Sequence, residues 1–85
     1  MEKTIYTEQY GHMLAALRSA REAAKLTQIQ LAEKLDAPQS FVSKCERGER
    51  RLDVIELRLW CAALGVSLSE FVTSLEQAIA RSKGR

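Results

Sequence analysis

Thr27-Gln28-Ile29-Gln30-Leu31-Ala32-Glu33-Lys34-Leu35, then Asp36-Ala37-Pro38, then Gln39-Ser40-Phe41-Val42-Ser43-Lys44-Cys45-Glu46-Arg47-Gly48 is the stretch that decides the fold. Its two outer parts read as short helices. Thr27 is a hydroxyl residue suited to capping a helix N-terminus, and Gln30, three positions on, reaches back to the cap in the reciprocal pairing of a capping box. Leu31, Ala32 and Leu35 make a buried stripe at helical spacing, with Ala32 small enough for another helix to approach closely. Asp36-Ala37-Pro38 then breaks the pattern. The residue before proline is biased away from helical angles, aspartate tolerates a left-handed conformation, and proline suits the first turn of a new helix. From Gln39 to Arg47 the second helix buries Val42, Cys45 and part of Glu46 and turns Gln39, Ser40, Ser43 and Lys44 outward. Gly48 is a natural left-handed stop. Two short helices at a three-residue turn, the second with a polar outer face, is the geometry that sets one helix in the DNA major groove.

Working outward, Tyr10, Met13, Leu14, Leu17, Ala20 and Ala24 recur at three- and four-residue steps and predict an amphipathic helix from Thr7 to about Ala24. Its polar face carries Arg18, Glu22 and Lys25. Gly11 costs about 1 kcal/mol relative to alanine inside a helix, which moves the expected start towards His12 and leaves residues 1–11 as an N-terminal arm. Beyond the polar loop Gly48-Glu49-Arg50-Arg51, the segment Leu52 to Leu64 carries Val54, Leu57, Trp60, Cys61 and Leu64 on one helical face, and Ile55, Leu59 and Ala62 form a second stripe. Gly65 closes this fourth helix. Ser67-Leu68-Ser69-Glu70 repeats the capping-box signal ahead of a fifth, with Leu68, Phe71, Val72, Leu75 and Ile79 at helical spacing. Residues 81–85 hold three positive charges and no apolar anchor, so they read as a flexible basic tail. The expectation is an all-α domain of five helices over residues 12–80.

Composition agrees. The chain has 85 residues, too few for two cores, and its 46% hydrophobic and 28% charged content lies near the globular average. Four glycines, one proline and an apolar set dominated by Leu and Ala favour helix over strand. No stretch approaches the ~20 apolar residues of a membrane span and no secretory signal opens the chain, so the expected setting is cytoplasmic, without a membrane partner. Cys45 and Cys61 form no CxxC pair and His12 stands alone, which is too little for a structural zinc. Both cysteines are expected to be small buried hydrophobes. With no nucleophile beside His12 and no phosphate-cradling glycine motif, the inventory speaks against an enzyme, and no cofactor or small-molecule ligand is evident.

Leu17 to Arg21, then Leu26-Thr27-Gln28 leading into Leu31-Ala32-Glu33-Lys34-Leu35, Ser40 to Arg50, and Ala63-Leu64-Gly65-Val66-Ser67 occur in the order and spacing of a known family. In these residues the chain resembles the phage repressors, Cro proteins and small bacterial regulators of the XRE type. The resemblance covers Leu17 to Phe71. It implies the five-helix lambda-repressor-like fold with its helix-turn-helix at helices two and three, double-stranded DNA as partner, and a nucleoid-associated regulator of transcription. It further implies that Gln39, Ser40, Ser43 and Lys44 face base edges, where Gln suits adenine, Lys suits guanine, and Ser suits either with less discrimination. Thr27 and Gln28 at the start of helix two, with Arg47, Arg50 and Arg51 after the recognition helix, fall where relatives contact phosphates. Arg21 and Glu46 match the family's buried ion pair between helices one and three. Two positions depart from the pattern: Asp36 stands where glycine is usual and Pro38 where the cap is often serine. Phe41, on the flank of the recognition helix, has two readings, contact with a thymine methyl or packing against the start of helix four, and the second is preferred.

One recognition helix reads only a few base pairs, so two copies on half-sites one DNA turn apart are expected. Ile55 and Leu59, with Val66 and Leu68 at the corner of helices four and five, exceed what one core requires and are assigned to a homodimer interface. The alternative is that Ile5 and Tyr6 of the N-terminal arm cover this stripe. The reading is thus a sequence-specific homodimeric repressor on a palindromic operator, its rival an antitoxin or adaptor using the same fold to hold a protein. The net charge of +2 does not separate them, but its distribution helps: residues 1–51 carry +2, residues 52–80 carry −3 and residues 81–85 carry +3.

Overall fold

The computed structural model describes the backbone of residues 2–83 and the side chains of residues 8–82. Over that range the regular structure is helical throughout: α1 (Glu2–Ala23), α2 (Gln28–Leu35), α3 (Gln39–Arg47), α4 (Val54–Leu64) and α5 (Leu68–Lys83). Local chemistry sets most of the boundaries. Thr27 Oγ1 accepts from the Gln30 amide at 3.1 Å while Gln30 Oε1 accepts from the Thr27 amide at 2.9 Å, the capping box expected at the start of α2. Asp36 ends that helix at φ 55°, and the amides of Asp36 and Ala37 close on the carbonyls of Glu33 and Ala32. Pro38, extended at φ −73° and ψ 154°, is the cap residue before α3. The same reciprocal pairing joins Ser67 to Glu70 at α5.

Three boundaries differ from the sequence reading. α1 begins at Glu2 and runs through Gly11, because a penalty of about 1 kcal/mol is small beside a long helical register, and the glycine faces open space where a Cβ would meet nothing. α5 continues through Lys83, since neither proline nor glycine interrupts it after Leu68, so the basic residues Arg81 and Lys83 are helical; Gly84 and Arg85 lie outside the described residues. α4 starts at Val54 because Asp53 caps it: Asp53 Oδ1 accepts from the Glu56 amide at 2.8 Å and Glu56 Oε1 from the Asp53 amide at 2.9 Å. At the other end of α1, Lys25 takes up a left-handed φ of 62° where glycine is common, and the Leu26 amide returns to the Arg21 carbonyl.

The core lies where the helices converge, with α5 closing it through Phe71. Leu17, Leu31, Val42, Cys45, Trp60 and Cys61 are fully buried, with Met13, Ala32, Leu57, Leu64 and Phe71 completing the cluster. Both cysteines are therefore packing residues, and burial pushes their thiols up from the ordinary value, which keeps them protonated. Phe41 packs towards Trp60, with ring centroids 6.4 Å apart, so it belongs to the α3/α4 seam. Gly48 ends α3 at φ +83° directly against α1, where an added Cβ would lie 3.0 Å from Leu14 Cδ1. α3 is thus held on its inner side by packing and at its C-terminus by close approach. No helix among the described residues is long and apolar enough to cross a membrane.

Candidate nucleic-acid interface

α3 divides cleanly between two environments. Val42, Cys45 and Glu46 face inward and are buried; Gln39, Ser40 and Lys44 are exposed and Ser43 is half-buried. That is the arc helical spacing demands, because a stripe at 42, 45 and 46 leaves 39, 40, 43 and 44 on the opposite side. Ser43 is not idle there. Its hydroxyl accepts from the Arg47 guanidinium one turn later.

The start of the α3 polar arc is tied to the core by a chain of polar contacts. Glu46 is the only buried charged side chain among the described residues, and Arg21 grips it in two places, Nε to Oε2 at 2.7 Å and Nη2 to Oε1 at 3.1 Å. A third Arg21 nitrogen donates to the Leu26 carbonyl at 2.9 Å, fixing the α1–α2 turn. Burial raises the Glu46 carboxyl, but hydrogen bonds from Arg21 and Gln28, with the charges of Arg21 and Arg18, outweigh it and hold the group below the usual carboxylate value. The hydrogen bond to Glu46 likewise raises Arg21. Gln28 Nε2 donates to Glu46 Oε1 at 3.0 Å, and Gln28 Oε1 accepts from Gln39 Nε2 at 2.8 Å. The first residue of α3 therefore meets the first residue of α2 through paired amides, with the buried ion pair behind them. Gln28 thus holds Gln39 with its amide oxygen while its amide nitrogen is held by Glu46.

The loop after α3 is organised more tightly than its charges suggest. Arg47 pairs with Glu49 through Nε and Nη2 at 3.0 and 3.1 Å. Arg50 pairs with Glu56 at 2.8 and 2.7 Å, donates to the Arg51 carbonyl and lies 5.1 Å over the Phe41 ring. Hydrogen bonding from Arg50 and from the Asp53 backbone lowers Glu56 to about 2, so this pair stays ionised at any ordinary pH. Arg51 stacks on Tyr10 of α1 at 4.1 Å. The backbone also folds back, with the amides of Glu49 and Arg50 both on the Lys44 carbonyl. Of the three arginines, Arg47 and Arg50 each have a carboxylate beside them, and Arg51 lies on the Tyr10 ring. Glu56 went unmarked in the sequence although Asp53-x-x-Glu56 spells a capping box; its second role, holding Arg50, is visible only in three dimensions.

The residues assigned to dimerisation separate into two groups. Ile55 and Leu59 are 62% and 55% exposed, joined on the same surface of α4 by Val54 at 61%. Val66 and Leu68, at the α4–α5 turn, are half-buried and packed on the core; they do not extend the exposed stripe. The side chains of Ile5 and Tyr6, the alternative cover, lie outside the described residues.

A capped helix, a left-handed turn and a second helix with a polar arc backed by a buried ion pair define a DNA-binding helix-turn-helix domain. Comparison with known proteins agrees. The family described as helix-turn-helix matches residues 17–71. Control protein C.MunI from Mycoplasma sp is 30% identical over 69 residues, which span 81% of this chain and 90% of that protein. The solved structure of an XRE-family like protein from Pseudomonas syringae pv. tomato str. DC3000 is 45% identical and superposes with a TM-score of 0.83, covering 91% of this chain and 94% of that one. The chain belongs to the XRE/Cro-type helix-turn-helix family and is a DNA-binding transcription regulator.

Proposed function

We propose that the chain acts as a homodimeric repressor on a palindromic operator, inserting α3 of each copy into the major groove. Gln39, Ser40, Ser43 and Lys44 read base edges, and Thr27, Gln28, Arg47, Arg50 and Arg51 contact phosphates on either side. The observation that carries this reading is the undivided polar arc of α3, whose leading glutamine is pre-oriented by Gln28 rather than left to sample rotamers. At its C-terminal end Arg47 and Arg50, each held beside a carboxylate, support phosphate contacts that would fix the register. Similarity to a protein named as a control protein supports a regulatory role. The adjoining aliphatic strip of Val54, Ile55 and Leu59 supports a second copy as the partner that supplies the other half-site.

Selection of bound duplexes from a random pool tests both parts together. The expected product is an inverted repeat with half-sites about 10 base pairs apart, centre to centre. A single unrepeated half-site, with a monomer at micromolar concentration by sedimentation, would refute the dimer. Ile55→Glu places a charge in the strip, and it should yield a monomer that keeps its helical spectrum and loses preference for the repeat over the half-site.

A further inference from the structure

Arg47 is the last residue of α3 and Ser43 stands one turn before it, so helical spacing puts the two side chains on one face. All three guanidinium nitrogens are engaged. Nη1 donates to the Ser43 hydroxyl oxygen, while Nε and Nη2 grip the Glu49 carboxylate at 3.0 and 3.1 Å. The chain beyond the helix makes this arrangement possible. Gly48 turns left-handed at φ 83°, and the Glu49 amide closes on the Lys44 carbonyl at 2.9 Å, which brings the carboxylate back beside Arg47. Glu49 therefore fixes one edge of the guanidinium, and the remaining nitrogen is aimed at Ser43. A serine hydroxyl has one proton and two lone pairs, whereas a guanidinium has donors only. With an N–H on its oxygen, the Ser43 proton has to point away from Arg47 and is left for a partner outside the pair.

We infer that Arg47 is a specificity-determining residue that acts through Ser43: by occupying the hydroxyl oxygen it makes Ser43 a hydrogen-bond donor to the base edge, and the base Ser43 meets is selected against cytosine. The inference rests on the DNA-binding reading above and deepens it. In the major groove guanine, adenine and thymine each present at least one acceptor, whereas cytosine presents only its N4 amino donor. An unconstrained serine turns its hydroxyl to suit either kind of group. Ser43, already holding a guanidinium N–H, meets a cytosine amino group as a second donor competing for one oxygen. One N–H on each Nη of Arg47 is not used in these bonds, so a phosphate contact from the same side chain is compatible with the role.

Selection from a random duplex pool, run in parallel with wild type, Ser43→Ala and Arg47→Met, reads the effect position by position. Methionine keeps an unbranched stem without a donor. Wild type should disfavour cytosine at one position of the site, and Ser43→Ala identifies that position by losing the bias there. Arg47→Met should lose the same bias, by about two- to tenfold, the worth of one hydrogen bond. The double variant should match Ser43→Ala at that position, and preferences at the positions read by Gln39 and Lys44 should stay. Loss of a phosphate contact weakens all sequences alike and lowers the slope of log K against log salt by about 0.9, so it does not imitate a change confined to one position. Glu49→Ala, outside α3, frees the guanidinium from its anchor and should weaken the bias at the same position, which keeps the test independent of how Arg47→Met folds. A cytosine bias that Arg47→Met and Glu49→Ala both retain, or one that Ser43→Ala does not move, would overturn the proposal and leave the DNA reading standing. A wild-type chain without sequence preference would overturn both.

Discussion

Replacing Glu46 by glutamine removes one charge and almost no volume, which isolates the electrostatic contribution of the buried pair. The carboxylate has no exposed side-chain surface and receives Arg21 at 2.7 and 3.1 Å and Gln28 at 3.0 Å. Stranding one member of such a pair costs about 3–5 kcal/mol. Arg21 keeps the Leu26 carbonyl as acceptor and retains an 11% exposed edge, so the lower end, about 3 kcal/mol, applies. Against a total of ~4–13 kcal/mol for a domain of this size, that is a large share. The assay is urea unfolding followed by circular dichroism. Acid supplies the second arm. Because the folded-state group titrates below its unfolded value, its stabilisation is complete above the unfolded pKa and disappears as pH falls through the folded one. The gap between wild type and Glu46→Gln should therefore narrow as pH drops below about 4. A variant within ~0.5 kcal/mol of wild type at neutral pH, or a gap that is constant into acid, would refute the role given to this pair.

Other substitutions probe separate links. Lys44→Ala should reduce discrimination between cognate and mismatched duplexes by ~1–3 kcal/mol while leaving unfolding unchanged, and competition binding checks it. Lys25→Gly relieves a left-handed φ of 62° and should raise stability by about 1 kcal/mol in chemical denaturation. Gly48→Ala forces a side chain into φ +83° and against Leu14, so unfolding should shift the other way, by ~1–2 kcal/mol. An unchanged or raised denaturation midpoint in Gly48→Ala would show that the α3–α1 approach has slack.

Much of this architecture was legible because its signals are local. Thr27 with Gln30 and Ser67 with Glu70 are pairs three residues apart whose chemistry works wherever a helix begins, and Asp36, Gly48 and Gly65 adopt the left-handed angles their residue types tolerate. The α3 polar arc follows from helical spacing alone. Less legible were features set by competition between weak local terms and long-range packing. Gly11 signalled a late start that the helix overrode, and Val66 and Leu68 carried no mark to say that the α4–α5 turn would fold them inward. Arg47, Arg50 and Arg51 spelled a basic loop. The carboxylates of Glu49 and Glu56 converted two of them into anchored groups.

The sequence by itself determined the helical class, the turn between α2 and α3, and the side of α3 that stays polar, because capping and periodicity act within a few residues. Tertiary structure decided which charges are available. Glu46 from α3, Arg18 and Arg21 from α1, and Gln28 from α2 meet only when three helices pack, and that meeting ties Gln39 through Gln28 to the buried pair. A linear sequence lists the net charge of +2; the fold decides where it can be spent, since pairing depends on distances that only the packed helices define.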